Sequence, residues 1–235
     1  MAKFFLTAML LVSVAAFRRP ALSSLSLTRL AALPTPESIA AAPFMESFDL
    51  AASVCDGLLS PPSDAAAALL VPRFFCTSDA ARGWFVTSLT TPEYRAAALH
   101  PSVVDAVVNQ PLEQSVTRLM LMNVIMPRAT AMQHAAAGNS EMAAASMETF
   151  DRAQTLVRLV AARGESRART ELREDAGAIG GAAGWDEKEE KGGEKEEGDV
   201  DRVRFWVGFM KQWGYGPTQR QAIKQVVEGL YVHLR

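Results

Sequence analysis

The chain has 235 residues, 49% of them apolar, and its 24 Lys and Arg stand against 26 Asp and Glu for a formal net charge of −2. That length suits one domain of ordinary size with appendages, and the near-neutral balance excludes a global electrostatic argument for nucleic acid or an anionic membrane surface. Two cysteines, Cys55 and Cys76, exclude a disulfide scaffold and lie outside any metal-binding spacing.

The first residues read Met1, Ala2, Lys3 and then an uncharged run from Phe4 to Val14, closed by Ala15 and Ala16. One lysine, about eleven apolar-dominated residues and a small-residue site have the layout of a cleavable signal peptide over residues 1–16. The run is shorter than the roughly 20 residues that cross a bilayer core, so it does not read as an anchor. Residues 17–43 hold Arg18, Arg19 and Arg29 among serines and threonines, and the first carboxylate of the chain is Glu37. Such Arg- and Ser-rich, acid-poor composition is that of an organelle transit segment. With Phe17 at the expected cut, the order resembles the bipartite leader of nucleus-encoded proteins sent into complex plastids of red-algal origin. The resemblance covers about the first 40 residues. It implies delivery to the plastid. No second apolar run with a small-residue site follows Arg29, so the expected place is the stroma, or peripheral on the thylakoid membrane, ahead of the lumen. No transmembrane span is expected in the mature protein.

Behind the leader the expected fold is all-α, a single compact domain of about six to eight helices with its core over residues 44–163. Phe44, Phe48, Ala51, Ala52, Cys55, Leu58 and Leu59 recur at spacings of three and four, an apolar helical face stopped by Ser60-Pro61-Pro62-Ser63. Asp64 caps a short alanine-rich turn expected to end near Val71, ahead of Pro72. Thr77, Ser78 and Asp79 offer the next cap, for a helix through Trp84, Phe85 and Leu89. Thr91-Pro92 starts another, and His100-Pro101-Ser102 closes it and opens the next with Ser102 as cap.

The longest helix is expected from about Leu112 to Ala137. Between Leu119 and Met126 it is apolar on nearly every side except Asn123, which predicts a buried central helix, kinked at Pro127. Gly138-Asn139 stops it. A helix from about Ser140 to Arg163 follows, with Met142, Met147, Phe150, Leu156 and Leu159 inward and Glu148 placed to pair with Arg152. Residues 164–199 carry Gly180-Gly181, Gly192-Gly193 and a Glu/Lys run. From Asp186 to Asp201 there are nine acidic residues and three lysines, a local net of −6. That composition predicts a disordered acidic insertion. Residues 200–235 then form a helical hairpin that docks on the core. Val203, Phe205, Trp206, Phe209, Met210 and Trp213 lie on its first arm, and Ile223, Val226, Val227, Leu230 and Leu234 stripe its second.

Chemistry-bearing patterns are sparse. Six of the ten methionines lie between Met120 and Met147. At helical spacing, thioethers read first as core filling, ahead of an adaptable groove for a partner or a copper(I) site. His134, Glu141 and Glu148 fall at intervals of seven, but Gly138-Asn139 interrupts the helix that would align them. The sequence shows no nucleophile elbow, no phosphate-cradling loop and no Cys–His pairing. No catalytic, cofactor-binding or metal residue is assigned, and no cofactor is expected. Trp84, Asn123, Met126, His134 and Glu141 are the candidates for partner contact or buried polar positions. The hairpin's Arg202, Arg204, Lys211, Arg220, Lys224 and Arg235 do not gather on one face, so nucleic acid ranks behind a protein partner. The expected role is non-catalytic, an assembly factor or accessory subunit of a larger plastid (photosynthetic) complex. The alternatives are a small-molecule or metal-dependent enzyme, and nucleic-acid binding through the C-terminal hairpin.

Overall fold

The computed structural model describes residues 33–61, 64–109, 116–184 and 197–235. These form eleven α-helices, one 3₁₀ turn and no strand, the all-α class that the periodicities predict. The signal peptide, Phe17 and most of the transit-like segment lie outside the described residues, as do Trp185 and the densest part of the Glu/Lys run. Two compact units divide the chain, residues 1–100 and 101–235, with the boundary between His100 and Pro101, inside the stretch that the sequence pattern treats as one core.

The first unit contains α1 (Pro36–Ala41), α2 (Phe44–Leu58), α3 (Asp64–Phe74), α4 (Ser78–Thr90), a 3₁₀ turn (Pro92–Tyr94) and α5 (Arg95–Ala98). Helix α1 falls within residues 17–43; Thr35 caps it by accepting the Ser38 N–H at 3.1 Å, and it buries Ile39. A cap followed by proline is a helix start. Helix α3 does not stop near Val71 but runs through Pro72 to Phe74. Proline disfavours that continuation locally. Packing overrides it, since Phe74 and Phe75 are both buried with ring centroids 5.0 and 6.4 Å from Trp84. Phe75 also stacks on Phe85 at 5.4 Å. The α4 cap falls where expected, with the Thr77 hydroxyl accepting the Ala80 N–H.

The second unit contains α6 (Pro101–Asn109), α7 (Val116–Ala136), α8 (Ser140–Ala161), α9 (Arg167–Ala183), α10 (Glu197–Gln212) and α11 (Pro217–Leu234). Helix α6 begins at Pro101, so Ser102 lies inside it and is not its cap. Helix α7 continues through Pro127 and packs on α8, α9 and α11. Leu121, Val124 and Ile125 are fully buried, yet Met122, Asn123 and Met126 are only half-buried, so the helix is not enclosed on every side. Gly138, at φ 77°, ends it, and the Asn139 N–H returns to the His134 carbonyl at 2.9 Å. On α8, Leu156 is buried but Leu159 is 37% exposed, against the inward position its spacing implies.

Helix α9 overturns the largest expectation. Residues 167–183, read from composition as part of a disordered insertion, form a helix capped by Ser166 and packed on α11, α10 and α7. Ala168, Leu172, Ala176, Ala178, Ile179 and Ala182 are buried along it. Glycine and charge weaken a helix in isolation, but an apolar stripe covered by neighbours outweighs propensity. The stripes of the α10–α11 hairpin are buried only in part, Phe205 of the first arm being 37% exposed. Trp206, Phe209 and Met210 are buried on α10, and Ile223, Val227, Leu230 and Leu234 on α11. Gly214, at φ 64°, makes the turn between them. Gln219 caps α11 by accepting the Gly216 N–H at 3.0 Å, while its amide nitrogen donates to the Ala129 carbonyl of α7 at 3.2 Å. Arg169 of α9 donates to the Leu234 and Arg235 carbonyls at the far end of α11.

Candidate functional site

The most concentrated polar chemistry of the second unit centres on Asp175, a carboxylate 2% exposed on the inner face of α9. A charge removed from water must be paired or hydrogen-bonded. Here the partners come from two other helices. The Trp206 indole N–H donates to Asp175 Oδ1 at 3.1 Å. Arg118 of α7 places Nη2 3.7 Å from the same oxygen, and Arg202 of α10 places Nη1 3.5 Å from Oδ2. Arg202 also reaches Glu174 at 2.7 Å, and the Arg118 guanidinium lies 4.2 Å above the Phe205 ring. One turn earlier, Thr117 donates to Glu171 at 3.1 Å, and Arg167 lies 3.4 Å from the same carboxylate. Indole and guanidinium are donors only. The geometry therefore joins α7, α9 and α10 through one buried acid.

The five residues singled out from sequence do not assemble into a site. Trp84 lies in the core of the first unit, fully buried among Phe74 and Phe75. Its Nε1, and Ser88 Oγ one turn on, have no hydrogen-bond partner among the described residues. Asn123 donates to the Leu119 carbonyl of its own helix at 2.8 Å. Met126 is half-buried, His134 is buried in the last turn of α7, and Glu141 is exposed in the first turn of α8. The break at Gly138 separates His134 from Glu141, and Glu148 turns to Arg152 at 4.0 Å. Among the described residues, no group of three or more His, Cys, Asp and Glu could hold a metal ion.

The methionines also correct their expectation. Met120 is buried, but Met122, Met126, Met132, Met142 and Met147 are half-buried on the α7–α8 pair, so they form its flank more than its core. Met147 Sδ lies 3.5 Å from Arg128 Nη1. Cys55 is buried and Cys76 exposed, both as free thiols. Burial, and after it the neighbouring Asp56 charge, pushes the Cys55 thiol up from its ordinary value, and burial does the same to the Tyr215 hydroxyl. A shallow, open depression in the first unit is lined by Ala40 to Pro43 and Thr77 to Asp79 and carries no clustered chemistry.

Sequence reasoning missed Asp175, Arg118 and Arg202 as a group. The signal was there in part: Leu172, Asp175, Ala176 and Ile179 recur at helical spacing, a lone acid on an apolar stripe. Among the described residues, no helix is long and apolar enough to cross a membrane. The family described as Uncharacterised conserved protein UCP020893 matches residues 44–184, more than half of the chain, from the first residue of α2 to the residue that follows α9. No curated protein and no solved structure matches the chain.

Proposed function

The chain belongs to the family Uncharacterised conserved protein UCP020893, and for this member we propose a non-catalytic role as an assembly factor or accessory subunit of a larger plastid complex. The observation that supports it is the flank of the α7–α8 pair, where five methionines are half-buried instead of sealed in the core. Unbranched thioethers repack around varied apolar surfaces at little strain, which suits a helix that must accept a protein partner. The test is purification from isolated plastids with mass spectrometry, joined to oxidative footprinting of the methionines. The reading expects a stable set of complex subunits, with Met122, Met126, Met132, Met142 and Met147 protected in the complex and oxidised in the free chain. A lone monomer carrying a bound small molecule would overturn it in favour of an enzyme.

The plastid address is part of the same proposal and rests on the leader resemblance. Residues 1–16 fused to a reporter should direct it into the secretory route, and residues 1 to about 40 should deliver it to the plastid stroma or thylakoid surface. Phe17→Ala should impair the second step. Plastid delivery unchanged in that variant removes the role assigned to Phe17, and a mature N-terminus mapped near Met1 removes the leader altogether.

A further inference from the structure

We propose that the C-terminal half of α9 and the α10–α11 hairpin dock and release as one unit, with the Asp175 cluster as its latch. This goes beyond the accessory reading and does not depend on it. The half of α9 that follows Asp175 carries Gly177, Gly180 and Gly181. Close packing does not demand them. A β-carbon at Gly177 would meet Tyr231 at 4.0 Å, one at Gly180 would meet Val227 at 4.0 Å, and one at Gly181 would meet Val203 at 3.6 Å, all ordinary contacts. Glycine is among the poorest helix formers, so this half-helix has little reason to persist alone. What holds it is cover: the atoms facing its glycines belong to α10 and α11, and Ala176, Ala178, Ile179 and Ala182 are buried. The hairpin depends on α9 in return, because α9 packs against both of its arms.

The latch is the polar contact nearest the glycine-bearing half of α9, while Arg169 makes a separate one to the Leu234 and Arg235 carbonyls at the other end of the helix. Trp206 and Arg202 bring the hairpin to Asp175, and Arg118 anchors the same carboxylate to α7. Both arginines stand at ion-pair distances of 3.5 and 3.7 Å from Asp175, and both are partly open to water. A polar group inside an apolar interface sets register more than it adds strength. Loss of the Asp175 charge removes the attraction on both sides at once. Release would then uncover the buried Trp206 and free its indole from Asp175. The device thus couples order in α9 to docking of the hairpin.

Hydrogen exchange on the full chain, read by mass spectrometry, tests this. Asp175→Asn keeps an acceptor for the indole and drops the charge. It should raise exchange in residues 176–184 and 200–235 together, by about tenfold or more, while α2 and α4 are unchanged. Gly180→Ala with Gly181→Ala, made in the otherwise unaltered chain, fills available space and should slow exchange in both segments together. Faster exchange in the hairpin with 176–184 unaffected would overturn the proposal. So would a uniform rise across the chain, no response to Asp175→Asn, or a glycine variant that protects α9 alone.

Discussion

A β-carbon placed on Gly83 would lie 1.8 Å from the Ser47 hydroxyl oxygen and 2.6 Å from the Ser47 Cβ, so α2 and α4 cross at a separation that only glycine permits. Ser47 is itself fixed, its hydroxyl donating to the Phe44 carbonyl at 2.5 Å and lying 3.3 Å from that of Asp79. Turning the hydroxyl away would not relieve the clash, because the Ser47 carbonyl carbon would stand 3.1 Å from the new methyl. Gly83→Ala should therefore lower stability by about 1–3 kcal/mol, the usual cost of overpacking. Denaturant unfolding of Gly83→Ala, Ser47→Gly and the pair measures it. The double variant should recover part of the loss, and strict additivity would mean that the two residues do not meet.

Trp206→Phe keeps most of the buried ring and removes the N–H that reaches Asp175 Oδ1. Leaving a buried acceptor short of its donor costs about 1–3 kcal/mol. The variant should melt earlier. Asp175→Leu in the same chain should not add a full second loss, because the acceptor has gone as well. Equal melting of Trp206→Phe and the unaltered chain would show that the indole bond contributes nothing.

Ile179 is fully buried on α9. Ile179→Ala should cost about 2–5 kcal/mol, as for other large-to-small core changes. A change in an unstructured insertion would cost almost nothing, so this substitution separates the two views of residues 167–183. A melting temperature within error of the unaltered chain would favour the compositional expectation.

Thiol titration should find one of the two cysteines in the native chain and both after unfolding, since Cys76 is exposed and Cys55 buried. Two reactive thiols in the native state would contradict the burial of Cys55. The same groups set an alkaline limit. Folding raises the Cys55 thiol above its ordinary 9.0 and the Tyr215 hydroxyl above its ordinary 10.0, so the fold favours the neutral forms. Their contribution is complete below those ordinary values and is lost as pH rises above them, because only the unfolded chain ionises there. Melting temperature should fall progressively above about pH 9. Cys55→Ala should flatten the lower part of that fall, and an unchanged slope in that variant would show that the thiol plays no part.

Features carried by a few neighbouring residues were legible without coordinates. Thr77 caps α4, Gly138 ends α7, and Ile223, Val227, Leu230 and Leu234 are buried as their spacing implies. Each is decided by chemistry within about one or two helical turns, which is the range over which capping, propensity and amphipathic period act. The continuation of α3 through Pro72, the helix over Arg167–Ala183 and the half-buried methionines were settled only in three dimensions. In the first two cases the local signal points one way and burial against a distant element points another, and burial carries the larger free energy; for the methionines the neighbouring helices leave one flank of the α7–α8 pair only partly covered. Asp175 makes the same point for the candidate site. Its partners Arg118, Arg202 and Trp206 lie tens of residues away in sequence, so no spacing rule joins them, and the packing of α7, α9 and α10 does.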